Sequence, residues 1–409
     1  GAARLIAFDM GGTSTDVSLI AGEPATAGSA VVAGHPVAVP ALNIHTVGAG
    51  GGSIGWRDPG GALRVGPASA GAEPGPACYG KGGPATVTDA NVLLGRIVPE
   101  RFLDGRMPLD SGAARAAMEE LGAGLRMTAE AAAEGMLEVA EATMARAVRV
   151  ISLQRGHEPS DFALLAFGGA GGLHAAALAS SLGMTEVIVP AHPGVFSAWG
   201  MTVADIMRDA SASILRPAAE VQPGWLAARR EALERDLLSL LASDGAPPGC
   251  VLFECRLDLR YAGQSFELTI PLPAPDRPQA RLEAFHHEHR RRYGYDRPGA
   301  PVELVALRVR GIGRTGATPP GRVDPSGRSM HAAQAGRRPV LWRGRRLEAS
   351  LYDRSRLPVS EASAGLPHGG TLQGPALILE GGATTFVPPG WRARLDPAGH
   401  LRLAAEPAR

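Results

Sequence analysis

The 409 residues predict an α/β protein to about residue 215, followed by an α+β region. Two observations carry that reading. In the first half, short aliphatic runs bounded by glycine or proline alternate with stretches of helical spacing, as buried strands and their covering helices require. Beyond Pro247-Pro248 the apolar period changes to two. It runs through Phe253, Leu257, Leu259 and Tyr261, then Phe266, Leu268 and Ile270, the pattern of half-buried strands.

Each element has its own local warrant. Residues 5–8 read as a buried strand, Gly11-Gly12 as a turn and residues 17–20 as the returning strand. Glycine dominates residues 48–83, which predicts a long loop or a series of turns. Helical spacing resumes over residues 87–94. Residues 128–154 give the clearest helix: Thr128 caps it and Glu130 and Glu134 suit its positive end. Met136, Ala140, Met144, Ala147, Val148 and Ile151 recur at helical intervals, and Arg155-Gly156 closes it. Residues 163–167 read as a second buried strand, followed by a glycine run and a helix from Leu173. Residues 186–189 are a third strand, stopped by Pro190. A linker composition over 216–223 precedes a charged helix over 225–243, another helix over 282–292 and a strand over 302–309. An exposed or partly disordered Gly/Pro/Arg-rich segment over 313–338 and short strands complete the chain.

Composition excludes several classes. Glycine (54) and proline (34) are abundant beside 45% hydrophobic residues. Their share stops short of the roughly 25–30% at which structureless low-complexity chains begin, so the chain is globular and loop-rich. A formal charge of +1 supplies no global field for nucleic acid or an anionic membrane, and neither partner is expected. Lys81 is the only lysine; every other side-chain cation is arginine. Cys78, Cys250 and Cys255 show no C-x-x-C spacing, which fits a reducing, cytoplasmic compartment. No secretory leader pattern occupies the start. Residues 162–184 carry no formal charge, yet glycines, His174 and Ser180-Ser181 break them into strand, loop and helix rather than a membrane span.

Three glycine loops carry the chemistry. Asp9-Met10-Gly11-Gly12-Thr13-Ser14-Thr15-Asp16 sits between two strands, where glycines let backbone N–H groups converge on an anion. Thr13 and Thr15 add hydroxyls, and Asp9 is placed to hold a hydrated Mg²⁺. The Walker ending is absent, and a plain β-hairpin with polar turn residues is the alternative. Gly168-Gly169-Ala170-Gly171-Gly172 links a strand to a helix, where a nucleotide can rest against the backbone; His174 follows it. Residues 43–53, with Gly48, Gly50, Gly51 and Gly52, read as another anion nest, a hinge or a flexible linker. Weaker candidates are Asp89 and Asn91 (a helix cap, or a Mg²⁺ or inter-lobe role), Cys78 with His45 (structural, or a thiol nucleophile), and His286 with His289 (surface or packing, or zinc). Arg290, Arg291 and Arg292 read as a solvated helix end.

The three loops together, with Gly75-Pro76-Ala77-Cys78-Tyr79-Gly80, Val87-Thr88-Asp89-Ala90-Asn91, Arg260-Tyr261-Ala262-Gly263-Gln264, Phe285-His286…His289…Tyr293-Gly294-Tyr295 and Gly374-Pro375-Ala376-Leu377-Ile378, resemble the A subunits of the hydantoinase/oxoprolinase family across nearly the whole chain. The resemblance implies an actin-like ATPase (ribonuclease H-like) second lobe over residues 1–215 and a smaller α+β C-terminal domain over 216–409. It implies an ATP-dependent hydrolase of cyclic amides such as 5-oxoproline or N-methylhydantoin, with ATP and Mg²⁺ as cofactors and a B-type subunit as partner. Phosphorylating the amide oxygen would create a leaving group for water to displace. By position, Asp9, Thr13 and Asp16 would be catalytic, with Asp9 on the metal. Gly11, Gly12, Thr13 and Thr15 would hold phosphates, and Gly168, Gly169, Ala170 and Gly171 the adenosine. Only one Asp-x-Gly-Gly-Thr loop is present, so the chain is expected to lack the family's N-terminal lobe and to need it as a partner. The alternatives are a non-catalytic nucleotide-sensing or assembly module, or a subunit of an ATP-dependent ketone carboxylase, as related members carboxylate acetone.

Overall fold

Strand β1 (Arg4–Met10) turns through Gly11–Ser14 into β2 (Thr15–Ala21), which pairs in turn with β3 (Ile44–Val47), all antiparallel. The computed structural model describes residues 4–27, 30–32, 35–37, 41–316, 321–360 and 370–407. A hairpin of β4 (Ser53–Arg57) and β5 (Leu63–Ser69) lies within the glycine-rich stretch expected to be a long loop or a series of turns. Helices α1 (Val87–Leu93), α2 (Ser111–Leu125) and α3 (Ala129–Ile151) follow. The sequence reading did not include α2, although Asp110 caps it by accepting from the N–H groups of Gly112 and Ala113. Strand β6 (Ala163–Phe167) then lies parallel to β1, helix α4 (Gly171–Ser181) crosses over, and β7 (Glu186–Val189) lies parallel to β6. Helix α5 (Phe196–Val203) closes this stretch. The sheet order β3-β2-β1-β6-β7 is therefore an antiparallel meander flanked by two parallel crossovers.

Helix α3 covers that sheet for the reason its spacing indicates. Met136, Ala140, Met144 and Val148 form one apolar stripe and are buried with Ile6, Phe8, Val17 and Leu164 of the strands. Thr128 accepts from the N–H of Ala131 at its start, as expected from the sequence.

The next 120 or so residues build a separate α+β body (about that size in the typical range for a domain). Strands β8 (Ile206–Pro217), β9 (Val251–Tyr261), β10 (Leu268–Pro271) and β11 (Val302–Gly313) make an antiparallel sheet of order β8-β11-β9-β10. Helices α6 (Pro223–Ser243) and α7 (Pro278–Tyr293) pack on it. Leu237, Leu257, Tyr261, Phe285 and Leu307 fill its core, and buried Arg281 is held by Asp276 and the carbonyl of Val221.

The chain then returns to the first body. Strands β12 (Gln334–Trp342), β13 (Arg345–Asp353), β14 (Ala376–Glu380) and β15 (Ala383–Val387) form a second four-stranded sheet. Strands β16 (Trp391–Leu395) and β17 (Leu401–Ala405) extend the first sheet, β17 running antiparallel to β7. Two compact units result, Gly1–Trp199 with Pro320–Arg409, and Gly200–Pro319. This differs from the expected division into residues 1–215 and 216–409. Leu401 and Leu403 are core residues of the first sheet, and apolar burial there outweighs continuity along the chain. Residues 317–320, part of the expected exposed loop, lie outside the described residues.

Candidate functional site

The carboxyl ends of β1 and β6 bring the first and second glycine loops together. Asp9, at the end of β1, pairs in register with Asp16 on one side and Phe167 on the other. Its carboxylate accepts a 2.7 Å hydrogen bond from the hydroxyl of Ser197, on α5. Burial pushes the Asp9 carboxyl above the ordinary carboxylate value; the Ser197 bond opposes that rise and the neighbouring Asp16 adds to it. Asp16 in turn accepts from the hydroxyl of Thr46.

Beyond Asp9 the chain makes a tight turn, closed by the N–H of Gly11 on the carbonyl of Ser14 at 3.2 Å. Gly12 and Thr13 are exposed at its tip. A Cβ placed on Gly11 or Gly12 would meet nothing within 4 Å, so this face of the turn is open. Thr15 is placed otherwise. It is fully buried and its hydroxyl donates to the carbonyl of Ala49, which turns it away from the open face.

The third glycine loop is a brace. The N–H of Gly51 donates to the carbonyl of Gly11 at 3.0 Å and that of Gly52 to Gly12 at 2.6 Å. A Cβ on Gly50 would lie 2.7–2.8 Å from backbone atoms of Gly12, Thr13 and Ser14. The glycines are therefore needed so that one backbone can back directly onto another. The amides of Gly51 and Gly52 are spent on the first loop and make no separate anion nest. Helix α1 secures the brace through Thr88, whose N–H and hydroxyl both donate to the carbonyl of Gly51.

Gly168 meets Asp9 at close quarters. Its φ is +80°, and a Cβ there would sit 2.3 Å from the carbonyl oxygen of Met10 and 2.5 Å from Asp9 Oδ1. The N–H of Ala170 donates to the same Met10 carbonyl at 3.0 Å. Gly169 is exposed, and Ala170 caps α4 without a side-chain acceptor, leaving the first amides of α4 without a side-chain cap. His174, one turn in, is fully buried between Glu141 (Nδ1 to Oε1, 3.1 Å) and Asn91 (Nε2 to Nδ2, 3.3 Å).

The remaining candidates resolve structurally. Asp89 closes a capping box with Thr86 and accepts from the N–H groups of Ala77 and Cys78, the cap role of its two readings. Cys78 is buried, and desolvation with the adjacent Asp89 carboxylate pushes its thiol far above the usual range, which suits a packed side chain and no nucleophile. His286 accepts or donates with Tyr261 Oη at 2.8 Å, and His289 bonds the carbonyl of Tyr295. Among the described residues no group of three or more His, Cys, Asp or Glu side chains is arranged to hold a metal. Ser197 was absent from the sequence reading because nothing in its neighbourhood resembles a ligand motif; the Pro193-Gly194 break after β7 is the only local sign of a turn back toward the site.

A model of the hydantoinase/oxoprolinase family matches residues 1–210. The chain belongs to that family. Among its relatives, the caprolactamase subunit alpha of Pseudomonas jessenii is 34% identical over 98% of this chain and 58% of its own length. 5-Oxoprolinase 1 of Arabidopsis thaliana is 35% identical over 99% of this chain and 32% of its own. The solved ATP-dependent caprolactamase of P. jessenii superposes with a TM-score of 0.79 at 33% identity, covering 99% of this chain and 59% of that one. Nucleotide-free acetone carboxylase superposes with a TM-score of 0.83 at 26% identity, with the same coverage of 99% and 59%. The chain thus spans about three fifths or less of these relatives' lengths. Its fold is the actin-like ATPase fold expected from the motifs. No helix among the described residues is long and apolar enough to cross a membrane.

Proposed function

We propose that this chain supplies the second nucleotide-holding lobe of an ATP-dependent cyclic amide hydrolase of the caprolactamase or 5-oxoprolinase kind. The observation that carries the reading is the meeting of Asp9, the open Gly11–Gly12 turn and the Gly168–Gly171 loop at the carboxyl ends of two parallel strands. Backbone amides at an open glycine turn suit phosphate oxygens, and the exposed glycine backbone around Gly169 leaves room for the nucleoside side of the same ligand. Thr13, at the tip, is placed for a phosphate contact, whereas Thr15 acts by fixing the loop. Asp9 fits the single-carboxylate mode in which Mg²⁺ keeps most of its waters and shares the phosphates; bound there, the ion would offset phosphate charge. The carboxylate of Asp9, held by Ser197 and shielded by Gly168, keeps one orientation for that role.

In the reaction, the amide oxygen would attack the γ-phosphorus as the bond to ADP breaks, and water would add to the activated carbon. The adduct would break its C–N bond as the nitrogen takes a proton and leaves as the amine, and a second water would release phosphate from the acyl phosphate so formed. The chain's contribution is positioning and charge stabilisation of the phosphates. The name of the P. jessenii relative, a subunit alpha, supports a second subunit, here a B-type one, that provides the ring-opening groups. The other half of the nucleotide cleft is a complementary lobe of the same fold.

In the complete complex, Asp9→Ala and Gly169→Val abolish ATP turnover while the circular dichroism spectrum and melting profile stay folded; normal turnover in both variants would sink the assignment. The similarity to acetone carboxylase favours a second reading, ATP-dependent ketone carboxylation. Assaying the complex with caprolactam, 5-oxoproline and acetone plus bicarbonate separates the two.

A further inference from the structure

A cavity of about 640 Å³ opens in the first unit, outside the loops described above. Its size is that of a small-molecule site. Its wall carries charges of both signs, among them Arg101, Asp104, His192, Arg328, Arg354 and Glu380. Arg354 and Glu380 form a buried ion pair, and Arg354 is also bonded to the carbonyls of Val189, Pro190 and Gly399, so this pair is a fixed floor. Arg101 and Asp104 are different. Both are exposed, and among the described residues neither has an ion-pair partner. Among the described residues the Arg328 guanidinium donates to the carbonyls of Asp324 and Leu357 and faces the Asp324 carboxylate, which its charge helps keep ionised, with no buried ion pair of the Arg354 kind.

The backbone around the cavity is strained. Asp104 (φ 57°) and His192 (φ 52°) line it in the left-handed region, and Leu103 (φ 51°) adjoins them. Non-glycine residues are uncommon in that region, and those held there cluster at ligand sites. The cavity also adjoins the nucleotide loop through one turn. Gly381 approaches Asp104, whose carboxylate would lie 2.5 Å from a Cβ at Gly381. On the other side, the Gly382 carbonyl would lie 3.3 Å from a Cβ at Gly169 and 3.0 Å from one at Gly194.

We propose that this cavity is an effector site for a small zwitterion bearing a carboxylate and an ammonium, and that its occupancy is transmitted to the Gly168–Gly171 loop through the Gly381-Gly382 turn. Arg101 and Arg328 take the carboxylate and Asp104 the ammonium. Opening a cyclic amide yields that charge pattern, a carboxylate and an amine on one chain, so the effector class is the product class; this last step rests on the proposed function. Binding itself does not.

Calorimetry on the folded chain tests the site with 6-aminohexanoate and glutamate, and with hexanoate and hexylamine as single-charge controls. A zwitterion is expected to bind at least tenfold tighter than either control. Arg101→Gln and Asp104→Asn, neither of which lies in the nucleotide loops, should each weaken it by about tenfold, since each good charge-assisted contact contributes on that scale. Mg-ATP affinity is then measured on the complete complex with and without saturating zwitterion, and a change of at least twofold is expected. No zwitterion binding, equal binding of the controls, or competition by Mg-ATP for the same cavity overturns the proposal. Unchanged Mg-ATP affinity overturns the link to the nucleotide loop. A failure of the complete complex to bind Mg-ATP at all, with the zwitterion still bound, would instead count against the proposed function.

Discussion

Ser197 and Asp9 stand 188 residues apart in the chain, and the hydroxyl of one donates to the carboxylate of the other at 2.7 Å. The bond favours the ionised carboxylate that burial disfavours. Ser197→Ala removes the favourable contribution and leaves the burial, so the Asp9 carboxyl moves further up. If ATP turnover requires ionised Asp9, the acid limb of its pH profile shifts to higher pH in Ser197→Ala. A pH–rate series on the complete complex checks this, and an unmoved limb would show that Asp9 ionisation does not govern turnover.

The same shift has a consequence for stability. The folded value of Asp9 lies above its unfolded value of about 3.8. Its contribution to stability is therefore fully present below that unfolded value and is lost as pH rises through the folded one. Asp9→Asn, which carries no charge, should melt higher than the parent at pH 7 and lose that advantage near pH 3. Melting curves at the two pH values measure it.

The two faces of the first glycine loop should respond oppositely to added methyl groups. Gly11→Ala meets open space, so stability should change by less than about 1 kcal/mol while Mg-ATP binding falls steeply. Gly50→Ala drives a Cβ into the backbone of Gly12–Ser14, and should cost about 2 kcal/mol or more in denaturant unfolding. Equal effects on stability would contradict the division into an open face and a braced face.

Thr13 and Thr15 make a paired test. Thr15→Val leaves the buried Ala49 carbonyl without its hydroxyl donor, at a cost of about 1–3 kcal/mol in stability. Thr13→Val, at the exposed tip, should leave stability unchanged and slow ATP turnover. A turnover loss in Thr15→Val larger than in Thr13→Val would place Thr15, and not Thr13, against the phosphates.

Much of this site was legible because glycine is local. A turn between two aliphatic runs, and a glycine run between a strand and a helix, name their own backbone needs, and both loops stand where the sequence placed them. What was hidden is non-local. The role of Gly48–Gly52 depends on which backbone lies opposite, and only the register of β2 with β3 brings Ala49 to Thr15. Ser197 reaches Asp9 through a turn after β7 that no periodicity encodes. The compact units differ from the expected division for the same reason, since the pairing of β17 with β7 leaves no mark on either strand's own pattern. Helix α2 was missed although Asp110 caps it, because its stripe is made mainly of alanine and glycine.

The seam between β7 and β17 joins residues 186–189 to residues 401–404. During synthesis the first sheet therefore remains open at this edge until residue 404 has left the ribosome, more than two hundred residues after β7. The Gly200–Pro319 unit, whose strands among the described residues pair with one another, is free to fold in the meantime. Closing so long a loop is the slow step that topology assigns to this chain. Until then the apolar edge of β7 is exposed, and truncation before β17 should yield a protein that aggregates rather than one that is merely shorter.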